Sequence, residues 1–162
     1  MKRFLCFLLI CALLISLGGC GVETKSHASF YYPRTEFQFG TEDGVIHSET
    51  RDIAGHEEDL FYLTALYLAG PLEEDLYSPF HASTLLISVE QNGDEVIIHL
   101  TDSGVYMLDS EFSLACACLS LTCMEISDAA SFTVKSQDRS VTMSRDNMTI
   151  LDQPVIAAAT EE

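Results

Sequence analysis

The chain has 162 residues, 25 of them acidic against eight basic, giving a formal net charge of −17, and 48% of its residues are apolar. So acidic a surface repels nucleic acid phosphates and anionic headgroups, which excludes nucleic-acid binding and leaves basic partners, cations or plain solubility. The length suits one ordinary domain with its own core.

Lys2 and Arg3 open the chain, and residues 4–17 form an apolar run without charge. At ~14 residues this run is shorter than the ~20 a spanning helix needs, and it suits the apolar stretch of a secretory signal. It closes on Leu17-Gly18-Gly19-Cys20. That resembles a bacterial lipobox: an aliphatic residue, two small residues that let a peptidase draw the backbone close, then a cysteine. The resemblance implies cleavage of the signal peptide 1–19 and a diacylglycerol thioether on Cys20. Two or three acyl chains would then hold the protein on the extracytoplasmic face of the cell membrane. An ordinary cleaved signal, or an uncleaved anchor, with Cys20 incidental, is the alternative. Cleavage removes two of the eight basic residues and none of the acidic ones, so the charge deepens to −19 over roughly 140 residues. Residues 20–28 form a short lipidated tether, 29–152 a single domain and 153–162 a loose tail.

Residues 29–32 (SFYY) read as a first strand, stopped by Pro33. Phe37 and Phe39 alternate with polar residues, a turn runs from Gly40 to Gly44, and residues 45–53 alternate as a weaker strand. Residues 56–69 (HEEDLFYLTALYLA) predict a helix, with Glu57, Glu58 and Asp59 in a first turn whose dipole favours negative charge. Leu60, Leu63, Leu66 and Tyr67 recur at helical spacing, and Gly70-Pro71 ends the run. The loop PLEEDLYSPF follows. Residues 84–89 and 95–100 are two strands, and Asn92-Gly93 between them predicts a hairpin because both residues tolerate positive φ. Residues 131–134 and 141–143 form another candidate pair, and residues 147–151 an edge strand.

Between those pairs lies LACACLSLTC, residues 114–123, with three thiols in eight positions. Asp109 and Ser110 are good N-caps, and Glu111 follows in the first turn, so a helix is expected to about Ser127. On a wheel of ~100° per residue, Phe112, Ala115, Cys116, Leu119, Cys123 and Ile126 form one apolar face. Ser113, Ala117, Ser120 and Met124 form the opposite side, and Leu114, Cys118 and Leu121 a flank. Cys116 and Cys123 then sit ~10.5 Å apart along the axis, too far for a disulfide. Cys116 and Cys118 point in nearly opposite directions, so the thiols do not converge as tetrahedral zinc requires. Cys6 and Cys11 leave with the signal and Cys20 is consumed by lipid, which leaves an odd number of thiols and no disulfide framework. Phe112, Cys116, Leu119 and Cys123 are expected as the core of this helix, with the cysteines acting as small hydrophobes. A partly exposed, reactive Cys118 on the flank is the lesser alternative.

A helix ending in Tyr67-Leu68-Ala69-Gly70-Pro71, a loop with Ser78-Pro79-Phe80, the hairpin at 85–102, a helix with LACACLSLT at 114–122 and a strand SFTVKS follow in that order. This set resembles the GerM-type sporulation and spore germination domain of bacterial surface lipoproteins, over about residues 28–152. The resemblance implies an α/β (α+β) fold in the order β-α-β-β-α-β: a two-layer sandwich with two helices on one face of a small mixed sheet, similar to a ring-building motif of secretion-type assemblies. The residues read on their own give the same alternation, and elements apolar on one side bury well in two layers. The resemblance further implies a non-enzymatic role in assembling or maintaining envelope complexes during sporulation or germination. Its partners would be other envelope proteins, the membrane through the lipid anchor, and a homo-oligomer where rings form. The namesake proteins carry two such domains, and here there is room for one.

The histidines are His27, His47, His56, His81 and His99, and none sits in a zinc-protease, nucleophile-elbow or phosphate-loop pattern. His56-Glu57-Glu58-Asp59 is better read as a solvated helix start than as metal ligands. Glu73-Glu74-Asp75 is a loop charge run with weak calcium binding as the lesser alternative. A Cys118–His99 nucleophile pair lacks an orienting third residue. No enzyme, cofactor or metal is expected. Binding of an envelope polymer or small ligand by the PLEEDLYSPF loop is the alternative function, and a Cys-dependent enzyme a more distant one.

Overall fold

A computed structural model describes residues 26–36, 44–102, 106–137 and 139–146. The signal, Cys20, Phe37, Phe39, the expected strand at 147–151 and the tail lie outside the described residues. The described elements are β1 (His27–Pro33), β2 (Ile46–Asp52), α1 (Leu60–Leu68), β3 (Leu86–Asn92), β4 (Glu95–Leu100), α2 (Asp109–Cys123), β5 (Ser131–Ser136) and β6 (Arg139–Ser144). This is the expected small α+β fold with two helices. β1 takes in His27 and Ala28, the last two residues assigned to the tether.

β3, β4, β5 and β6 lie in that order in one mixed sheet, with β4 and β5 parallel and the other neighbours antiparallel. The parallel pair requires a crossover, and α2 supplies it. β1 and β2 form a separate antiparallel two-stranded ribbon. The β3–β4 hairpin closes on Gly93-Asp94, with Gly93 at φ +62°. Only the glycine enters the left-handed region, the glycine-first arrangement of a type II′ turn, rather than both Asn92 and Gly93 as the sequence suggested. Val96, Ile98 and Leu100 of β4 and Phe132 and Val134 of β5 point to one buried face, as alternation along a strand dictates.

α2 packs against β1 on one side and β5 and β6 on the other, with α1 alongside. Ser113, Ala117 and Ser120, expected to face away from the core, are therefore buried as fully as Cys116 and Leu119. Small side chains suit this place, because a helix enclosed between two sheets must let backbone approach from both directions. The side toward the ribbon is stitched by polar bonds: the Tyr31 amide donates to Thr122 Oγ1 at 3.0 Å, and the Tyr31 hydroxyl donates to Glu125 at 3.1 Å.

Both helices start differently from expectation. Asp59, not a residue of the first turn, is the N-cap of α1, accepting from the Tyr62 amide at 2.9 Å. His56 precedes the helix and stacks on the Tyr62 ring at 3.7 Å between centroids. A carboxylate that bonds the third following amide fixes the helix start at itself. In α2 the N-cap is Leu108, whose amide donates to Glu111 at 2.8 Å, while the expected cap Asp109 instead pairs with Arg139 at 2.9 Å.

Candidate functional site: a bare helix face held by a buried ion pair

Cys116, Cys118 and Cys123 are free and buried. Burial pushes the Cys118 and Cys123 thiols up to about 12, and the Cys116 thiol upward as well. A nucleophile or metal ligand needs the opposite shift, toward thiolate. The lesser alternative of an exposed, reactive Cys118 is not met: its flank of α2 is covered, and Tyr67 is among its neighbours. Cys123 lies 3.7 Å from the Thr64 hydroxyl of α1. Phe112 is buried under the Arg139 guanidinium, 4.4 Å from the ring centroid, and Leu119 is buried without exposure. Phe112, Cys116, Leu119 and Cys123 are all buried. Among the described residues, no group of three or more His, Cys, Asp or Glu side chains is gathered as a metal site.

The polar centre of the molecule lies elsewhere, in β2. Glu49 and Arg51 share the strand face that also carries buried Ile53, and they are only 4% and 6% exposed. They form a buried ion pair in which Arg51 Nε donates to Glu49 at 2.6 Å. Arg51 also donates to the Leu66 carbonyl at 3.0 Å and the Gly70 carbonyl at 2.6 Å, both at the end of α1. Glu49 accepts from the amides of Leu72 and Glu73, each at 2.9 Å. The pair therefore satisfies orphan carbonyls at the helix C-terminus and the amides of the turn that follows. Gly70 makes that turn possible at φ +93°, a conformation that side chains oppose. The Arg51 guanidinium lies 4.7 Å from the Phe30 ring centroid, and the Tyr32 ring stacks on Tyr67 at 4.6 Å. The Tyr67-Leu68-Ala69-Gly70-Pro71 motif is thus the seat of this network. Nothing in the motif reveals its partners, and a Glu-x-Arg spacing on a weak strand reads as solvent-facing. The one signal available was Ile53 on the same face.

Clamped at its end, α1 presents an unusual surface. Its nine residues, LFYLTALYL, carry no charge. Leu60, Leu63, Thr64 and Tyr67 are buried, but Phe61 is 51% exposed and Leu72, just beyond the helix, 78% exposed. Ala65 and Leu68 continue the same line, the first exposed and the second half-buried. Beside α1 runs the edge strand β3, with Ile87 and the preceding Leu85 also exposed.

The loop after α1 shapes a second feature. The Tyr77 amide donates to the Pro33 carbonyl at 3.0 Å, and the Thr35 amide to the Asp75 carbonyl at 2.8 Å. Phe80 of the Ser78-Pro79-Phe80 motif is buried edge-on against Tyr67, 6.4 Å between centroids. Residues 77–82 and the Met107, Glu111 and Leu114 side of α2 enclose an open cleft of about 400 Å³.

No family model matches the chain, and no curated protein matches it. Among solved structures it is similar to the crystal structure of a candidate lipoprotein from Clostridium perfringens, at 17% identity and a TM-score of 0.47, covering 74% of this chain and 87% of that one. No helix among the described residues is long and apolar enough to cross a membrane.

Proposed function

We propose that the chain is a lipid-anchored, non-catalytic interaction module on the extracytoplasmic face of a bacterial membrane, acting in sporulation or spore germination as the GerM-type resemblance implies. The observation that carries the interaction reading is α1: a helix apolar on every side that is left exposed along one. Such a helix is ordinarily buried, and an exposed apolar face on a soluble domain marks a contact surface. The anchor rests on Lys2, Arg3, the apolar run and Leu17-Gly18-Gly19-Cys20. The buried, protonated thiols remove the main argument for a cysteine enzyme. Cys20→Ala is expected to abolish labelling by radioactive palmitate and to release the protein from membranes. Label that persists in the variant overturns the anchor. Crosslinking in intact cells, during growth and sporulation, is expected to recover a protein partner, and its failure in both conditions overturns the interaction.

The cleft beside Ser78-Pro79-Phe80 favours a second reading, binding of a small ligand or envelope polymer. Retention on purified peptidoglycan that is lost on Tyr77→Ala supports it, and no retention ends it.

A further inference from the structure

The stretch from Leu60 to Leu72 contains no charged residue, in a chain where one residue in five is charged. It is bracketed by two acidic triplets of identical sequence, Glu57-Glu58-Asp59 before the helix and Glu73-Glu74-Asp75 after it. All but Glu57, which is half-buried, are exposed. Asp59 sits near His56 at 3.6 Å and Asp75 near Arg34 at 3.7 Å. Glu58, Glu73 and Glu74 have no ion-pair partner among the described residues. The nine-residue helix spans roughly 14 Å, with one triplet just before it and the other just past the turn at Gly70, beyond exposed Leu72.

We propose that this face docks a helical segment of another envelope protein that is apolar along one stripe and carries Lys or Arg at both ends. The proposal rests on the interaction reading above and names the chemistry of the partner. Phe61, Ala65 and Leu68, at spacings of four and three residues along α1, suit a helix laid along a helix, and Leu72 adds an apolar contact just past its end. The charges decide what that helix is. A second copy of this chain brings acid against acid, whether the two stripes run parallel or antiparallel, so the same residues that attract a basic-ended segment exclude self-association. An anionic lipid surface is opposed for the same reason.

The test uses the full chain in a zwitterionic detergent and a fluorescent synthetic helix with a leucine stripe and lysines at both ends. A twin peptide carries glutamates in their place. Fluorescence anisotropy is expected to show the lysine peptide binding about tenfold or more tighter than its twin, with the preference shrinking at high salt. Phe61→Ser with Leu72→Ser is expected to weaken the lysine peptide about tenfold, and Glu58→Gln, Glu73→Gln and Glu74→Gln together to remove the preference. These positions are on the surface, and an unchanged melting temperature verifies folding. Equal binding of the two peptides, or indifference to the Phe61 and Leu72 changes, overturns the proposal, as does self-association of the chain that Phe61→Ser abolishes. A photocrosslinker at position 61 in cells separates the two levels. Crosslinks to protein segments without basic ends leave the interaction reading standing and overturn this one. Crosslinks to lipid alone, or none, overturn both.

Discussion

Cys118 shows how a single side chain can mislead. Its position on the wheel placed it at a flank, but a flank is a matter of what lies opposite, and opposite α2 is a second sheet. With all three thiols protonated and inaccessible, Ellman's reagent should leave Cys116, Cys118 and Cys123 untouched in the native protein and react with them on unfolding. The same burial predicts a pH dependence. Unfolded thiols titrate near 8.5, whereas burial raises the folded thiols, Cys118 and Cys123 to about 12. Below about pH 8 both states are protonated and nothing changes. Above that, the unfolded chain sheds protons that the folded chain keeps, so stability should fall from about pH 9 toward 12, as urea midpoints would reveal. Glu49 and Arg51 carry a different prediction. Glu49→Ala strands a buried guanidinium and should destabilise the fold by about 3–5 kcal/mol. The double variant Glu49→Met, Arg51→Met should cost less than the sum of the single ones by about 1 kcal/mol or more, yet not be neutral, because backbone groups of Leu66, Gly70, Leu72 and Glu73 lose partners. Ser120 is the reverse case. Its hydroxyl is buried without a hydrogen-bond partner, so Ser120→Ala should be neutral or stabilising by up to about 1 kcal/mol in thermal unfolding.

At the level of elements, what the sequence shows depends on how local the cause is. The β3–β4 hairpin was legible because Asn92-Gly93 and the flanking apolar runs lie within one stretch of chain. Gly93→Ala tests the turn: at φ +62° the added methyl should cost about 1–2 kcal/mol, measured by denaturant unfolding. The two helices were legible from periodicity, but their first residues were not, because Asp59 and Glu111 bond particular amides and several acidic residues compete for that role. The ribbon of β1 and β2 was the least legible part. Its strands are separated by residues 34–45, its inward face carries Glu49 and Arg51, and charge on a strand looks like solvent exposure until the carbonyls of Leu66 and Gly70 are seen beside it. The all-round burial of α2 was hidden for a related reason: Ser, Ala and Cys suit either a wet face or a tight one. The bare face of α1 was written plainly in an uncharged LFYLTALYL, although only the fold shows which of its sides stays open.

For the molecule as a whole, α2 is the piece that both sheets share. Since α2 touches β1 as well as β5 and β6, neither sheet can leave without uncovering it. Hydrogen exchange should therefore report the same opening free energy for amides of β1 and of β5, and a markedly lower value for β1 would show the ribbon to be a separate unit. The route of the backbone into the fold has a further consequence. β1 is the first strand after the segment that leads from Cys20, with only six residues intervening before His27. If Cys20 carries the anchor proposed above, a tug between the bilayer and a bound partner would enter along β1, resisted by seven paired positions and the Tyr31–Thr122 bond. The four-stranded sheet lies beyond that seam. Pulling the ribbon away would bare α2 and strip the sheet of its cover, so this seam is the latch on which the whole domain closes.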